Sequence, residues 1–599
     1  MPGTVPEELA AEIILSRFDA FNEAFRAITR RAERRFEARE WAEGLRDGGE
    51  RIDLYEKYLD DAAVELRAAL GARADEQATW AAARPRFASL VEQRYDIDRA
   101  ETFFNSVTRK MLRTVGINRD VEFFFLHART RPVEGEGTVY RTYTSTGDTA
   151  RLVQDILGDV PFRVGYEHLE LDARRVAQEI DLRLWPILGP QMSFRVDVVR
   201  APFFRNKTAY LVGRIVVGPR TMPLVIPLVI GRSGVYADTV LLLEPDVGIV
   251  FSFAYSPFFV DVERYDALIV FLQSILPGAE LAELYTSLGY NRHGKTEFYR
   301  ALHRYVHVSK EQFLIAPGKE GAVMIAFTLP HYAFVFKVIK DRPCFLRSAH
   351  TTPKTITREQ VRRQYDVVSR RDGAGRMVDT QEFENLRFKT KRFSAELLDE
   401  FRQAATEAVS ITEDYVILRH VYVQRKVHPL PMYFAAEKDP EVLRGVLLDF
   451  GYFLKDIAAS GVFPADLFNT WNYGVTPWGR VVLFDYDDVV PIERVRFREK
   501  PPAPTEEEET GLEEDWVVAT EDDFFIDEID RYSGIPSPLK GVFKSVHRDL
   551  YTLRFWENLT QALARGVVFD VIPYDRGKRF RERRERMWLV SEPEGEGLC

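Results

Sequence analysis

FPADLFNTWNYGVTPWGRVVLFDYDD, residues Phe463 to Asp488, is the stretch from which the rest of the chain is read. Tyr473 to Val475 and Val481 to Phe484 are aromatic and β-branched runs. They are separated by Thr476-Pro477-Trp478-Gly479, with proline at the second turn position and glycine at the fourth, so two short strands fold back on each other. Asp466 and the polar residues after it lead into this hairpin, while Asp485 and Asp487 leave its far strand. All of them can therefore meet at one end. In-line transfer of a phosphoryl group needs a carboxylate to orient a hydroxyl, and an amide and a second carboxylate to hold magnesium, because catalysis there is mostly positioning and charge neutralisation. Acidic residues also end many ordinary strands, so the pattern takes its meaning from what surrounds it.

Upstream, QFLIAPGKEGAVMIAFTLPHYAFVFKVIK, residues 312 to 340, reads as strand, glycine-containing turn, strand, proline-containing turn and third strand. Gly318 and Gly321 let backbone amides come close to phosphates, and Lys337 on the third strand can reach their oxygens as a point charge. Lys340 is the alternative lysine. TTPKTITREQVRRQYDVVSRRD then predicts a helix capped by Thr355 or Thr357, with Glu359 as the glutamate expected to face the strand lysine. Asp372 and Asp379 flank a glycine-containing turn beside Arg376; these three form either a site or a simple turn. YVILRHVYVQRKVHPLPMYF reads as a strand running into an interlobe hinge, with adenine expected near Tyr422 to Gln424. Asp439-Pro440 opens a long helix carrying Leu443, Val446, Leu447, Phe450, Leu454 and Ile457 on one face, ended by Gly461.

The N-terminal half reads differently. Leu9, Ile13, Ile14, Phe18, Phe21, Phe25 and Ile28 recur at helical steps within a helical stretch from Pro6 to Leu70. Their spacing makes the aromatic stripe a packing face, and no chemistry is assigned to it. A further helical run spans about 75 to 115. PFFRNKTAYLVGRIVVGPRTMPLVIPLVIG predicts paired strands, continued through residues 234 to 260, before helical spacing over 261 to 288 and a polar junction at 289 to 294. A last helix is expected from Val546 to Arg565. The basic run DRGKRFRERRERMW after it reads as a solvated helix or as intramolecular pairing.

With 599 residues the chain exceeds a single core and should form two or more domains. A net charge of -10 argues against a general nucleic-acid binder, and 46% hydrophobic with 29% charged residues is a globular composition. Cys344 and Cys599 cannot make a disulfide framework, no signal peptide is expected from MPGTVPEELAAEIIL, and no apolar run reaches membrane-spanning length. A cytoplasmic protein, bound to neither membrane nor nucleic acid, is expected.

The order glycine loop, strand lysine, helix, hinge, long helix, catalytic aspartate, hairpin and metal aspartate resembles that of the protein-kinase catalytic domain. More closely, AEIILSRFDAFNEAF, APGKEGAVMIAFTLP, FVFKVIKDRP, GRMVDTQEFE and NYGVTPWGRVVLFDYDD resemble the isocitrate dehydrogenase kinase/phosphatase family, from near Ala10 to near Phe580. The resemblance implies an α+β protein. A mainly helical regulatory domain with some sheet, residues 1–310, would precede a bilobal eukaryotic-protein-kinase-like domain, residues 311–599, with lobes at about 311–425 and 426–599. It also implies one ATP/ADP site with Mg2+ or Mn2+, AMP-type allosteric control, isocitrate dehydrogenase as protein partner, and leaves a homodimer open. The family's nucleotide loop falls on Ala316, Pro317, Gly318, Lys319, Glu320, Gly321 and Ala322, and its ATP lysine on Lys337. Its active-site aspartate matches Asp372, the catalytic-loop aspartate Asp466, the metal-binding pair Asn472 and Asp485, and the aspartate associated with phosphatase activity Asp487.

Some features depart from the kinase pattern. Asn472 lies six positions after Asp466 rather than five, which leaves Asn469 as an alternative ligand; no His-Arg precedes Asp466, and Asp487 replaces the DFG glycine. The acidic stretch PPAPTEEEETGLEEDW reads as a solvated face or, within the resemblance, as a substrate-docking segment. Retention of Lys337, Asp466 and Asp485 favours an enzyme over the alternatives, a kinase-shaped nucleotide-sensing scaffold or a kinase acting on a different protein.

Overall fold

The computed structural model describes the chain except residues 1–4, 125–138, 146, 190–192, 252–256, 319–320, 346–353, 372–374, 466, 468, 500–521, 527–528, 530–534, 536 and 582–599. It divides into two compact units. The first comprises residues 1–252, 256–308 and 572–599, and the second residues 253–255 and 309–571.

The first unit opens with the helices Pro6–Thr29, Arg31–Ala38 and Trp41–Leu70. Ile13, Ile14, Phe18, Phe21, Phe25 and Ile28 are buried on the first helix as their spacing predicts, and they join Trp80, Phe87 and Phe103 from Gln77–Val91 and Ile97–Leu112 in one core. An antiparallel sheet follows, ordered Tyr140–Thr144, Arg195–Val199, Thr208–Val217, Arg220–Ile230, Val235–Ala237, with Phe203–Arg205 paired to Thr208–Val217. Tyr210, Val212 and Val225 contribute to the core of the N-terminal helices, whereas Leu211, Ile215 and Leu224 pack with the helices Thr149–Gly158 and Leu169–Leu188. Burial on both faces explains why these strands read as unbroken apolar runs.

Among the described residues the expected strands through 234–260 reduce to Val235–Ala237 and isolated bridges from Leu241 to Val225 and from Phe259 to Phe204; Glu244–Phe251 is a helix instead. The junction at 289–294 is likewise the start of a helix, Asn291–Ser309. Gly289 at φ +90° makes the break, and Gly294 lies so close to Ala282 O that a Cβ would sit 2.8 Å from it. Ile572 and Tyr574 return to the first unit's core, where Tyr574 and Arg579 bind the buried Asp238 at 2.6 Å and 2.9 Å. Here the described part of the basic C-terminal run makes intramolecular pairs.

The second unit carries the predicted meander. Leu314–Ile315, Met324–Thr328 and Phe334–Ile339 pair in sequence, and Tyr415–Arg425 and Thr380–Lys389 extend the sheet beyond Phe334–Ile339, all antiparallel. The helix Arg358–Arg371 starts at Thr357, whose Oγ1 accepts from Gln360 N at 3.2 Å, while Thr357 N donates to Gln360 Oε1 at 2.8 Å. Below lies the helix Pro440–Ala459, capped by Asp439 on the amides of Glu441 and Val442. The quoted hairpin forms as Tyr473–Val475 against Val481–Leu483, with Gly479 at φ +76° closing the turn. The helix predicted from Val546 to Arg565 forms as Leu553–Ala564; its expected first turns are instead the end of another helix, Ser537–Val546, and a 3-10 turn, Arg548–Tyr551, whose Leu550 O accepts from the buried Trp556 indole at 2.8 Å.

Candidate active site

A cavity of about 990 Å³ opens within the second unit. The glycine loop contributes Ala316, Pro317, Gly318, Gly321 and Ala322 to its wall, the third strand of the meander Lys337, and the hairpin region Asn469, Asn472, Asp485 and Asp487. Gly318 adopts φ +133°, a conformation open to glycine, and a Cβ there would touch Trp471 at 3.6 Å. Trp471 thus brackets the loop from the hairpin side, a contact for which the sequence carries no signal.

Lys337 is 5% exposed. Its Nζ donates to Phe484 O at 2.9 Å and lies 3.8 Å from Asp485 Oδ1. Lys340 instead pairs with Glu400 at 3.4 Å, which resolves the choice of lysine in favour of Lys337 as the cavity residue. Burial first, then the Asp485 charge, push the Asp487 carboxyl well above its ordinary value, and Lys337 opposes them. Asp487 Oδ1 is buried and finds no hydrogen-bond partner among the described residues. Two adjacent carboxylates with an orphaned oxygen are a donor set suited to a hard divalent cation. Among the described residues no three His, Cys, Asp or Glu side chains cluster for a metal, so an amide and phosphate oxygens would have to complete the shell.

The hairpin explains how Asn472 arrives there. Tyr473 pairs with Leu483, and one step beyond, Asn472 O accepts from Phe484 N at 3.0 Å. Asn472 ends a 3-10 turn, Thr470–Asn472, in which its N donates to Asn469 O at 2.9 Å. Both asparagines line the cavity, so the alternative stays open.

Arg376 anchors the hairpin from behind. Its guanidinium makes two hydrogen bonds to Asp449, 2.7 Å and 2.9 Å, and one to Asp456 at 2.9 Å, and donates to Val481 O at 3.1 Å. Asp449 also accepts from Val481 N at 2.6 Å. Burial works against these charges, yet the mutual attraction outweighs it: the Arg376 pKa is raised and that of Asp449 lowered. Of the two readings of this turn, Arg376 is a structural clamp on the strand that delivers Asp485.

Other expectations meet different outcomes. Asp372, Asp466, Lys319 and Glu320, and the acidic stretch after Pro501, lie outside the described residues. The described neighbours of Asp466 are tied into the site: Ala465 N donates to Asp488 O at 2.9 Å, and Leu467 O accepts from Tyr473 Oη at 2.8 Å. Glu359 does not meet Lys337. It is exposed in the first turn of its helix, where its backbone amide and Thr357 lower its pKa. The buried face of that helix is Val361, Tyr365 and Val368. At the hinge, Lys426, Val427, His428 and Pro429 line the cavity. Tyr422 is instead stacked on Tyr365, and Gln424 accepts from Thr380 Oγ1.

Comparison with known proteins gives two adjoining family matches. Residues 11–310 match the model described as isocitrate dehydrogenase kinase/phosphatase (AceK), regulatory domain, and residues 311–576 the isocitrate dehydrogenase kinase/phosphatase (AceK) kinase domain. A relative from Anaeromyxobacter sp. (strain Fw109-5), named isocitrate dehydrogenase kinase/phosphatase, is 40% identical over 580 residues, 96% of this chain and 98% of its own length. Relatives of the same name from Pectobacterium atrosepticum and Dechloromonas aromatica are each 33% identical, over 99% and 96% of this chain and 98% and 97% of their own lengths.

Proposed function

The chain belongs to the isocitrate dehydrogenase kinase/phosphatase family, and from that premise we propose that it phosphorylates a serine of isocitrate dehydrogenase with ATP and removes the same phosphate at one site. It is a protein serine kinase and a phosphoprotein phosphatase, and through its substrate it divides flux between the citric acid cycle and the glyoxylate bypass. The observation that carries this reading is the single cavity in which the glycine loop, Lys337, Asn472, Asp485 and Asp487 come together.

Residues 1–310 serve as the regulatory domain and 311–599 as the kinase-like domain, with AMP as effector and the cytoplasm as location. Among the described residues no helix is long and apolar enough to cross a membrane. In the site, the amides around Gly318 and the Lys337 ammonium hold the nucleotide phosphates. Asp485 with Asn472 or Asn469 holds Mg2+, which when bound supplies neutralising charge to the phosphates. Asp466, assigned from the resemblance, orients the serine hydroxyl and accepts its proton. For hydrolysis Asp487 or Asp372 activates water; Asp487 is supported by its place in the cavity, where burial and the Asp485 charge raise its pKa above the ordinary carboxylate value.

The test is incubation with isocitrate dehydrogenase, Mg2+ and radiolabelled ATP, then a chase with ADP. Incorporation followed by release as inorganic phosphate, both lost in Asp466→Ala and Asp485→Ala, is expected. Asp487→Asn is expected to slow release more than incorporation. Nucleotide binding without transfer would return the chain to a sensing scaffold, and transfer to another protein alone would change the substrate.

A further inference from the structure

One tryptophan of the cavity wall serves neither a hydrophobic core nor the chemistry assigned above. Trp471 is half-buried and lines the cavity together with Asn469 and Asn472. Trp80 and Trp556 are fully buried in the cores of their units, whereas Trp471 joins none of the hydrophobic clusters among the described residues. Its contact is with the glycine loop: a Cβ placed on Gly318 would lie 3.6 Å from Trp471 Cζ3, at the outer edge of the six-membered ring. That loop needs support from outside itself. Gly318, at φ +133°, and Gly321 have no side chain to pack, and glycine loses more conformational freedom than any other residue when it is fixed. Gly321 is held by close approach to Met324, whose carbonyl would lie 2.5 Å from a Cβ, and Ala316 N donates to Ala326 O at 2.9 Å. Gly318 has the indole edge instead. The indole is carried in turn on Thr470–Asn472, which the hairpin holds: Asn472 O accepts from Phe484 N at 3.0 Å, one residue before Asp485.

We infer that Trp471 is a positioning residue for the phosphates of the nucleotide: its ring edge braces Gly318, so that the loop amides are set for phosphate oxygens before the nucleotide arrives. The gain is preorganisation, because a loop already in its bound conformation loses little further freedom on binding. The brace also joins the loop to the hairpin that delivers Asn472 and Asp485, and so couples the phosphate side of the cavity to the metal side. Acting through the loop amides, Trp471 affects nucleotides through their phosphates and leaves the grip on base and ribose unchanged.

This inference rests on the nucleotide-site reading above, and the experiment separates the two. Metal-free ADP and adenosine, which share base and ribose and differ in the diphosphate, are titrated into the full chain by calorimetry. Trp471→Leu, which removes the ring, is expected to weaken ADP binding by about 10-fold, as loss of a preorganised loop does, while adenosine binding holds. Trp471→Tyr, which keeps a flat ring, recovers part of that loss. Wild-type ADP affinity in Trp471→Leu, or an equal loss for ADP and adenosine, would overturn the inference, since a merely structural role moves both ligands together. A readout that needs no variant is hydrogen exchange on the wild type: ADP should protect amides of residues 316–318 and 321–324 together with 469–472, and adenosine neither segment. Protection of the glycine loop alone refutes the coupling. A wild-type chain that binds neither ADP nor adenosine removes the nucleotide-site reading itself.

Discussion

In the cavity wall Lys337 lies between a backbone carbonyl and the acid pair, bonded to Phe484 O and 3.8 Å from Asp485. Replacing it by methionine keeps the stem and removes a charge-assisted contact with phosphate, a loss of about 1.5–3 kcal/mol. Lys337→Met is therefore expected to weaken ATP binding by roughly 10- to 100-fold, measured by calorimetry. Two histidines in the first unit make a separate residue-scale prediction. His303, edge-on to Phe124 and Tyr299, is pulled down to about 4 by burial and by Arg119 and Arg109, and His293, packed by Tyr285 and bonded to Thr102, is lowered well below its ordinary value by burial and by Arg300 and Arg99. A folded-state pKa below the unfolded one stabilises above the ordinary histidine value and loses that contribution as pH falls through the lowered value. Melting temperature should therefore decline between pH 6.5 and pH 4, with His303 contributing on the order of 3 kcal/mol, and the decline should be shallower in His303→Gln. An unchanged slope would refute the assignment.

At the scale of elements, the strand Val481–Leu483 is held by its hairpin partner and by Arg376. Breaking a buried ion group by removing one partner costs about 3–5 kcal/mol, because the other charge stays buried. Arg376→Met should show that loss in urea unfolding, and surviving folded protein should bind nucleotide less tightly since Asp485 follows directly from this strand. The helix Pro440–Ala459 has its own constraint at Gly451, where a Cβ would lie 2.2 Å from the ring of His547, itself fully buried and bonded to Leu448 O at 3.0 Å. The imidazole has no room to yield, so Gly451→Ala is expected to cost about 1–3 kcal/mol by overpacking. Gly445, on the same helix with open space around it, is the control and should tolerate alanine.

At the scale of the molecule, ligand binding and acid sensitivity belong to different units. ATP with Mg2+ at about 100 times its Kd should stabilise the nucleotide-binding unit by about 2.7 kcal/mol, and hydrogen exchange should map the protection to the cavity wall, residues 316–328, 335–337 and 469–488. Lowering the pH should instead loosen residues 291–309. The elements that make these units were legible wherever one local rule acted alone. The helical stripe of Pro6–Thr29, the Asp439-Pro440 cap and the Pro477-Gly479 turn all formed as spacing predicts. The departures fall where long-range contacts chose between local options: Leu241 and Phe259 join Val225 and Phe204 by isolated bridges where continued strands were expected, and the last helix starts only at Leu553, after a 3-10 turn whose Leu550 O is held by Trp556.

The sequence by itself determined the α+β class, through hydrophobic period and turn chemistry, the family, through the resemblance of its quoted motifs, and the delivery of Asp485 and Asp487 from the end of the hairpin, since these are local properties of the chain. Only the tertiary structure decided which lysine faces the cavity, that Glu359 stays in solvent, that Arg376 clamps the hairpin, and that Tyr365 meets Tyr486. The physical reason is that a helix or strand pattern states which face is buried but not what that face is buried against; partners some 40 to 150 positions apart in sequence become neighbours only once sheet register and helix packing are set.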